Sequence, residues 1–308
     1  MILHSYAKVN LYLRVLDKRE DGFHSLITLF ERIDLSDRII LTPLPGRKIT
    51  LSCNRKDLAC DSSNLAYRSA RLLQDTFNVP CGVEIKLIKK IPIGSGMGGG
   101  SSNAASVLLG LNRLWRLRLT TRCLADLGAQ LGSDVPFFVY NIPFAAATGK
   151  GEHILPLSGL RKTRLYHFLA VPRLHVSTPV IYRKWDELNS FALTSHDCRD
   201  ILNGVLSIRS LTQADNTVKF LISALKKKQR QGLSRCLFNS LEEPTFSLYP
   251  EVFQLKEKLR ALGTHPVLMS GSGPAVFCLV SSRKEGMSLW RKIKKENRNW
   301  QFFLTRTV

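Results

Sequence analysis

The run Pro92-Ile-Gly-Ser-Gly-Met-Gly-Gly-Gly-Ser-Ser-Asn-Ala-Ala105 constrains this chain more than any other segment. Gly94, Gly96, Gly98, Gly99 and Gly100 lie within it, followed at once by Ser101 and Ser102. Glycines at this density let the backbone take positive φ and turn successive N–H groups towards a ligand. From Ser101 to Trp115 the spacing predicts a helix with Ala104, Val107, Leu108, Leu111 and Trp115 on one face. A glycine loop that opens a helix is an anion site, because unpaired N–H groups and the helix dipole both favour phosphate. The bland alternative is a flexible Gly/Ser linker, but linkers do not usually open an amphipathic helix.

Two well-known phosphate loops do not fit. Gly94-Ser-Gly96-Met-Gly98-Gly99 spells G-x-G-x-x-G, a weak signal alone. The strand before it, residues 82–90, alternates Val83, Ile85 and Leu87 with Glu84, Lys86 and Ile88. That is a half-buried strand, whereas dinucleotide-binding strands are apolar on both faces. The nearest acid downstream, Asp126, falls in a helical segment and not at the end of a second strand, where a ribose partner belongs. A P-loop is excluded because G-x-x-x-x-G-K-[ST] occurs nowhere.

With 308 residues the chain has length for two cores, and no apolar stretch is long enough to span a membrane. Lys8 and Asn10 interrupt any signal-peptide pattern. Seven scattered cysteines without C-x-x-C spacing or neighbouring histidines predict reduced thiols in a cytoplasmic protein, not a disulfide frame or zinc site. The net charge is +21. Residues 1–155 hold 20 basic and 13 acidic groups, residues 156–308 hold 25 and 11. Such a surface suits anionic substrates, nucleic acid or an acidic membrane. The densest basic runs, 226–230 and 291–295, lie in helical patterns without interleaved aromatics, so solvated helix faces are the better reading.

Along the chain, residues 5–15 alternate as a strand. Ala7, Val9, Leu11 and Leu13 take one face; Tyr6, Lys8, Asn10 and Tyr12 take the other, turned either to a ligand or simply to water. A turn at Asp21-Gly22 sets Phe23 and His24 at a hairpin mouth before a strand over 26–33; a histidine there is more often structural than functional. Ser63 or Asn64 caps a helix to about Phe77, and a further helix covers 121–131. Asp134, in Gly132-Ser-Asp-Val-Pro136, is either a plain N-cap or a carboxylate fixed at a helix start for use as a base. Residues 148–152 mark the expected boundary between domains 1–155 and 156–308. Beyond it the pattern predicts a strand (164–171), a helix capped by Thr178 with Pro179 first, helices through 197–263, strands over 266–269 and 275–280, a helix (285–296) and a strand (301–307). The order after 197 is that of a split βαβ, ferredoxin-like layer.

Three separated stretches, Ala7-Lys-Val-Asn10, the loop 92–105 and Ser270-Gly-Ser-Gly-Pro274, together resemble the three motifs of the GHMP small-molecule kinases, the group of galactokinase, homoserine kinase and mevalonate kinase. Asp21-Gly-Phe-His24, Leu131-Gly-Ser-Asp-Val-Pro-Phe137 and Thr178-Pro-Val-Ile-Tyr182 extend the likeness towards the branch that acts on the cytidyl diphosphate of methylerythritol. The resemblance implies an α+β fold of two domains, an N-terminal ribosomal-protein-S5-like domain that binds ATP and a C-terminal ferredoxin-like domain, with the active site between them. It implies ATP-dependent phosphorylation of the substrate's tertiary 2-hydroxyl, with Asp134 matching the catalytic base and Lys8 its partner. Pro92, Gly94, Gly96, Gly98, Gly99, Gly100, Ser101 and Ser102 match the ATP-phosphate loop; Asn64 and the backbone around Lys89 match the adenine side. Asn10, Phe23, His24, Thr178 and Tyr182 match the substrate side, with His24 reading the cytosine edge between the two aromatic rings.

Phe23 stands where the family usually has Tyr, and Tyr182 where Phe is common, so stacking survives while a phenol changes sides. Met97 replaces the usual Leu with little change in volume. Magnesium follows from ATP chemistry, but no acid lies in the loop to assign as its ligand. A kinase for another small alcohol and a nucleic-acid module on an S5-like fold are the competing readings; membrane and obligate protein partners are not implied.

Overall fold

The computed structural model of the protein describes residues 1–189, 215–227, 229–264, 266–294 and 299–308. The helices expected within 197–214, and Cys198, lie outside the described residues. The chain divides into two compact units, neither continuous in sequence. Unit 1 comprises Met1–Lys8, Leu35–Ile93 and Gly98–Ile142; unit 2 comprises Val9–Asp34, Gly94–Met97 and Pro143–Val308.

In unit 1, β4 (Gly82–Ile88) pairs antiparallel with the far half of β2 (His24–Leu44) and parallel with β3 (Ile49–Cys53). Strict alternation explains β4: Val83, Ile85 and Leu87 are buried, while Glu84 and Lys86 are exposed. On the helical side α2 (Gly99–Leu114) packs against α1 (Leu65–Thr76), α3 (Thr121–Leu131) and α4 (Val135–Tyr140). Ala104, Val107, Leu108 and Leu111 are buried as the spacing predicts, joined by Ala105, whereas Trp115 is the half-buried C-cap beyond the last turn. Gly110 and Gly128 are small for a reason: a Cβ at Gly110 would lie 2.6 Å from Leu3 and Leu41, and one at Gly128 would lie 2.8 Å from Val135. Asn64 caps α1 and Thr120 caps α3, each accepting from a first-turn N–H.

Unit 2 takes the C-terminal half of β1 (Ile2–Lys18) and the first half of β2, which pairs with β5 (Phe144–Thr148). β6 (His153–Pro156) forms a hairpin with β5, so residues 149–152 are its turn. β8 (Phe238–Asn239) pairs parallel with β1. A separate antiparallel sheet is ordered β11 (Trp300–Arg306), β7 (Tyr166–Pro172), β10 (Val276–Val280), β9 (Val267–Met269). With α10 (Arg283–Lys294) between β10 and β11, and α5 (Thr178–Asn189) and α9 (Pro250–Ala261) before β9, this is the expected split βαβ arrangement. Its core includes Phe168, Ile181, Trp185, Val252, Leu255, Val276 and Phe302. Also in this unit are α6 (Asn216–Lys227), α7 (Arg230–Cys236) and α8 (Glu242–Leu248).

The strand expected over 26–33 extends to Leu44, β3, β5 and β6 have no counterpart among the expected elements, and β8 interrupts the span 197–263 expected to be helical. Residues 34–44 mix Asp34, Asp37 and Arg38 among the aliphatics, which masks the alternation. Thr178 does not cap α5 but is its first residue; the Ser177 carbonyl accepts from Val180 and Ile181.

Candidate functional site

The glycine loop begins on a buried polar foundation in unit 1. Asp37 on β2 is wholly buried and collects the N–H groups of Lys90 (2.7 Å) and Ile91 (2.9 Å), the Asn103 amide (2.9 Å) and the Lys89 ammonium. Lys89 also donates to Asn103 Oδ1 (3.0 Å), and Asn103 donates to Ser5 Oγ, which donates to Ser102 Oγ. One carboxylate thereby ties the strand end that enters the loop to the helix that leaves it. Every charge in this cluster has a partner, which is the condition for keeping ions in an interior.

Above this foundation the backbone does what the glycines permit. Gly94, Gly96 and Gly98 have φ of 64°, 73° and 68°; Gly98 is the left-handed N-cap of α2. Gly99 and Gly100 are not in that region and are already helical. At Gly99 space is the constraint, since a Cβ would lie 3.0 Å from Ile91 and 3.2 Å from Lys89 Nζ. The first helical bond of α2 is Ser102 N–H to the Gly98 carbonyl, so the N–H groups of Gly99, Gly100 and Ser101 have no helical acceptor. Pro92 stands at the entrance, where the strand has ended.

Two expected nucleotide residues turn inward. Ser102 is buried, its N–H donating to the Gly98 carbonyl and its hydroxyl accepting from Ser5, so it joins the foundation. Lys89 spends its side chain on Asp37 and its backbone N–H on Asn54 Oδ1, while Asn54 also donates to its carbonyl; only a second lone pair there remains. Asn64 accepts from Ala66 and donates to the Ala59 carbonyl, duties that by themselves account for an Asn at that place.

Asp134 precedes α4 with its backbone in the helical region and makes no side-chain cap. Its carboxylate, about one third exposed, lies 3.5 Å from the ammonium of buried Lys8. The capping alternative is therefore removed, and the acid is held by charge at the edge of solvent. Lys8 Cγ would lie 3.2 Å from a Cβ on Gly98, so this pair sits at the helical end of the loop.

Unit 2 holds the remaining candidates. A Cβ on Gly94 would meet His175 Nδ1 at 2.4 Å, and one on Gly96 would meet the Ser270 carbonyl at 2.1 Å. The Ser270–Pro274 loop packs backbone to backbone on the first half of the glycine loop, with Ser270 Oγ donating to Gly96 and Ala275 N–H to Ser95. Asn239, missed in the sequence, holds this loop by donating to the Met269 and Gly271 carbonyls, both at 2.8 Å. Thr178 Oγ1 lies 2.8 Å from Ser272 Oγ, and buried Asn10 donates to Thr28.

His24 is buried, stacked on Tyr182 (4.9 Å between ring centres, planes 25° apart) and edge-on to Trp185. Its Nε2 lies 2.5 Å from Asp186 Oδ1, while Asp186 Oδ2 accepts from Lys18 at 2.8 Å. Burial raises the Asp186 pKa, but hydrogen bonds from Lys18 and His24 outweigh it and hold the carboxyl below its ordinary value. Phe23 is half exposed, with Lys150 Nζ 4.4 Å from its ring centre. Asp186, in a plain helical pattern, carried no sequence signal. Among the described residues no group of three or more His, Cys, Asp or Glu is placed to hold a metal ion, and no helix is long and apolar enough to cross a membrane.

Comparison with known proteins agrees with this layout. Residues 64–141 match the GHMP kinases N terminal domain and residues 221–299 the GHMP kinases C terminal domain. The chain is 42% identical over 275 residues to a 4-diphosphocytidyl-2-C-methyl-D-erythritol kinase of Geobacillus thermodenitrificans, covering 89% of this chain and 86% of the relative. It is 38% identical to the kinase of the same name from Bacillus subtilis, covering 94% and 91%. A crystal structure of 4-(cytidine 5'-diphospho)-2C-methyl-D-erythritol kinase superposes with a TM-score of 0.74 at 33% identity, covering all of both chains. Together with the glycine loop and the two flanking motifs, these matches show that the chain belongs to the GHMP kinases, a family of small-molecule kinases.

Proposed function

We propose that this enzyme transfers the terminal phosphoryl group of ATP to the 2-hydroxyl of 4-diphosphocytidyl-2-C-methyl-D-erythritol, a step in non-mevalonate isoprenoid precursor synthesis. The observation that carries this reading is identity near 40% with kinases of that name across about nine tenths of the chain.

Phosphoryl transfer asks little covalent work of a protein: position the alcohol, remove its proton and neutralise the moving charge. Asp134 takes the proton of the 2-hydroxyl. Lys8 orients that carboxylate, and donates to oxygens that gain charge in the transition state. The N–H groups of Gly99, Gly100 and Ser101, with the left-handed turns at Gly94, Gly96 and Gly98, form the phosphate cradle. Asn64 and the Lys89 carbonyl stand on the adenine side. Magnesium, when bound with the nucleotide, would supply neutralisation of phosphate charge. A single partly exposed carboxylate and the Ser101 hydroxyl suit an ion held mainly by phosphate oxygens and water.

Asn10, Thr178, Phe23, His24 and Tyr182 form the substrate set. A base hydrogen-bonded edge to edge with His24 shares the imidazole plane, and that plane is nearly parallel to the Tyr182 ring. The stack therefore supports a cytosine read by His24 and layered on Tyr182. Residues 1–155 are the nucleotide-binding domain in this proposal and 156–308 the second domain; the two family models fall one on each side. This reading places the enzyme in the cytoplasm and implies no obligate protein partner, no membrane and no nucleic acid. The test is ATP turnover with the cytidyl substrate against cytidine diphosphate, mevalonate and homoserine. Turnover confined to the cytidyl substrate is expected; equal turnover of mevalonate would overturn the assignment.

A further inference from the structure

His24 Nε2 lies 2.5 Å from Asp186 Oδ1, and a carboxylate can only accept. The ring proton is therefore on Nε2. In the neutral imidazole the other nitrogen, Nδ1, then carries a lone pair, because the bond made by one ring nitrogen sets the state of the other. Among the described residues nothing is hydrogen-bonded to Nδ1, and unlike His167 Nδ1 it is not a buried polar atom without a partner. The ring cannot turn over to exchange its nitrogens cheaply, being stacked on Tyr182 and held edge-on by Trp185. Lys18 occupies the second oxygen of Asp186 and fixes the carboxylate in turn.

We propose that Asp186 is a positioning residue for base selection: by taking the Nε2 proton it leaves His24 Nδ1 as an acceptor for the exocyclic amine of cytosine, and so rejects uracil. The inference rests on the cytosine reading above. Cytosine offers an N–H donor where uracil offers a carbonyl oxygen, so a fixed acceptor attracts one and opposes the other. Sites built around a buried hydrogen-bonding group reject a mismatched analogue strongly, because the group is left facing a like partner.

Lys18 makes the test sharp. In Asp186→Asn the Lys18 ammonium, which can only donate, holds the amide oxygen, so the amide N–H₂ faces His24. Nε2 must then accept, the proton moves to Nδ1, and the ring presents a donor to the base. The variant is expected to lose at least about tenfold in the ratio of kcat/KM for the cytidyl substrate over its uridyl counterpart, the worth of one hydrogen bond, with the KM for ATP unchanged. ¹⁵N spectra of the histidine ring in the substrate-free protein should show protonated Nε2 in the wild type and protonated Nδ1 in Asp186→Asn. Removing the Lys18 ammonium as well, in Lys18→Met with Asp186→Asn, lets the amide turn its oxygen back and should restore part of the cytosine preference. A wild-type spectrum with the proton on Nδ1 overturns the proposal, as does an unchanged tautomer and base ratio in Asp186→Asn. His24→Ala separates the two levels: if it leaves the base ratio unchanged, the cytosine reading itself fails. If it collapses the ratio while the Asp186 variants do not, only the role of Asp186 fails.

Discussion

Lys89–Asp37 and Lys8–Asp134 are both lysine–aspartate pairs of unit 1, and both adjoin the glycine loop. Asp37 is wholly buried, and its two oxygens meet an ammonium, an amide and two backbone N–H groups. Asp134 is partly exposed and meets a single ammonium at 3.5 Å, longer than a good hydrogen bond. On the proposed function the difference separates scaffold from chemistry. A carboxylate with every lone pair spent has nothing to offer a substrate, and removing it leaves a buried cation alone. A carboxylate held by one long contact keeps lone pairs for an incoming proton.

The sharpest way to break this contrast is to remove both acids and read stability beside activity. Asp37→Ala strands the Lys89 ammonium and three N–H donors, and should cost about 3–5 kcal/mol of stability, the usual result of breaking a buried pair from one side. Chemical denaturation measures it. If Asp37→Ala is as stable as the wild type, the cluster is not the foundation described here. Asp134→Asn should cost less stability than Asp37→Ala, because this acid is partly exposed, while lowering kcat at least about a hundredfold, the worth of a positioned general base. Retention of most kcat would return Asp134 to a structural role.

Lys8→Met probes the same pair from the buried side. The stem is kept and the charge lost, so kcat should fall by more than the KM for ATP rises, as for an interaction strengthened in the transition state. Steady-state kinetics with varied ATP decides; a raised KM alone would make Lys8 a ground-state contact. Gly98→Val tests the loop between the two pairs. It places a β-branched residue at φ 68° with its Cβ 3.0 Å from the Phe138 ring, and should weaken ATP binding by calorimetry in a protein that still folds.

The motifs of the candidate site were more legible in the sequence than the scaffold beneath them, and the two pairs show why. Lys8 and Asp134 sit in short motifs whose spacing resembles a family, and the glycines announce a loop whatever its surroundings. Asp37 lies among charged residues on a strand that looks too polar to be interior, and its partners are 52 to 66 residues away. Burial of such a group follows from tertiary closure, which no local period encodes. The same holds for Asn239, which braces the third motif from about 30 residues away, and for Asp186, 162 residues from His24. Ser102 shows the opposite case: its neighbours in sequence belong to the proposed cradle, while its own hydroxyl accepts from Ser5 inside the fold.

The smallest expected effect concerns Asp186, which in exposure lies between the two acids compared above. Its folded carboxyl titrates below the ordinary aspartate value of 3.8, so at acid pH the unfolded chain binds a proton that the folded chain does not. Stability therefore rises with pH through that interval; the contribution is complete above 3.8 and is lost as pH falls through the lower folded value. Asp186→Asn should remove this part of the acid limb and leave stability near neutral pH only slightly reduced, since an exposed lysine partner contributes little. Denaturation midpoints of the two proteins should thus converge as pH is lowered towards 2. Parallel curves that never approach one another would mean that the Lys18 and His24 bonds do not hold the carboxyl low, and that Asp186 resembles a surface acid more than a fixed one.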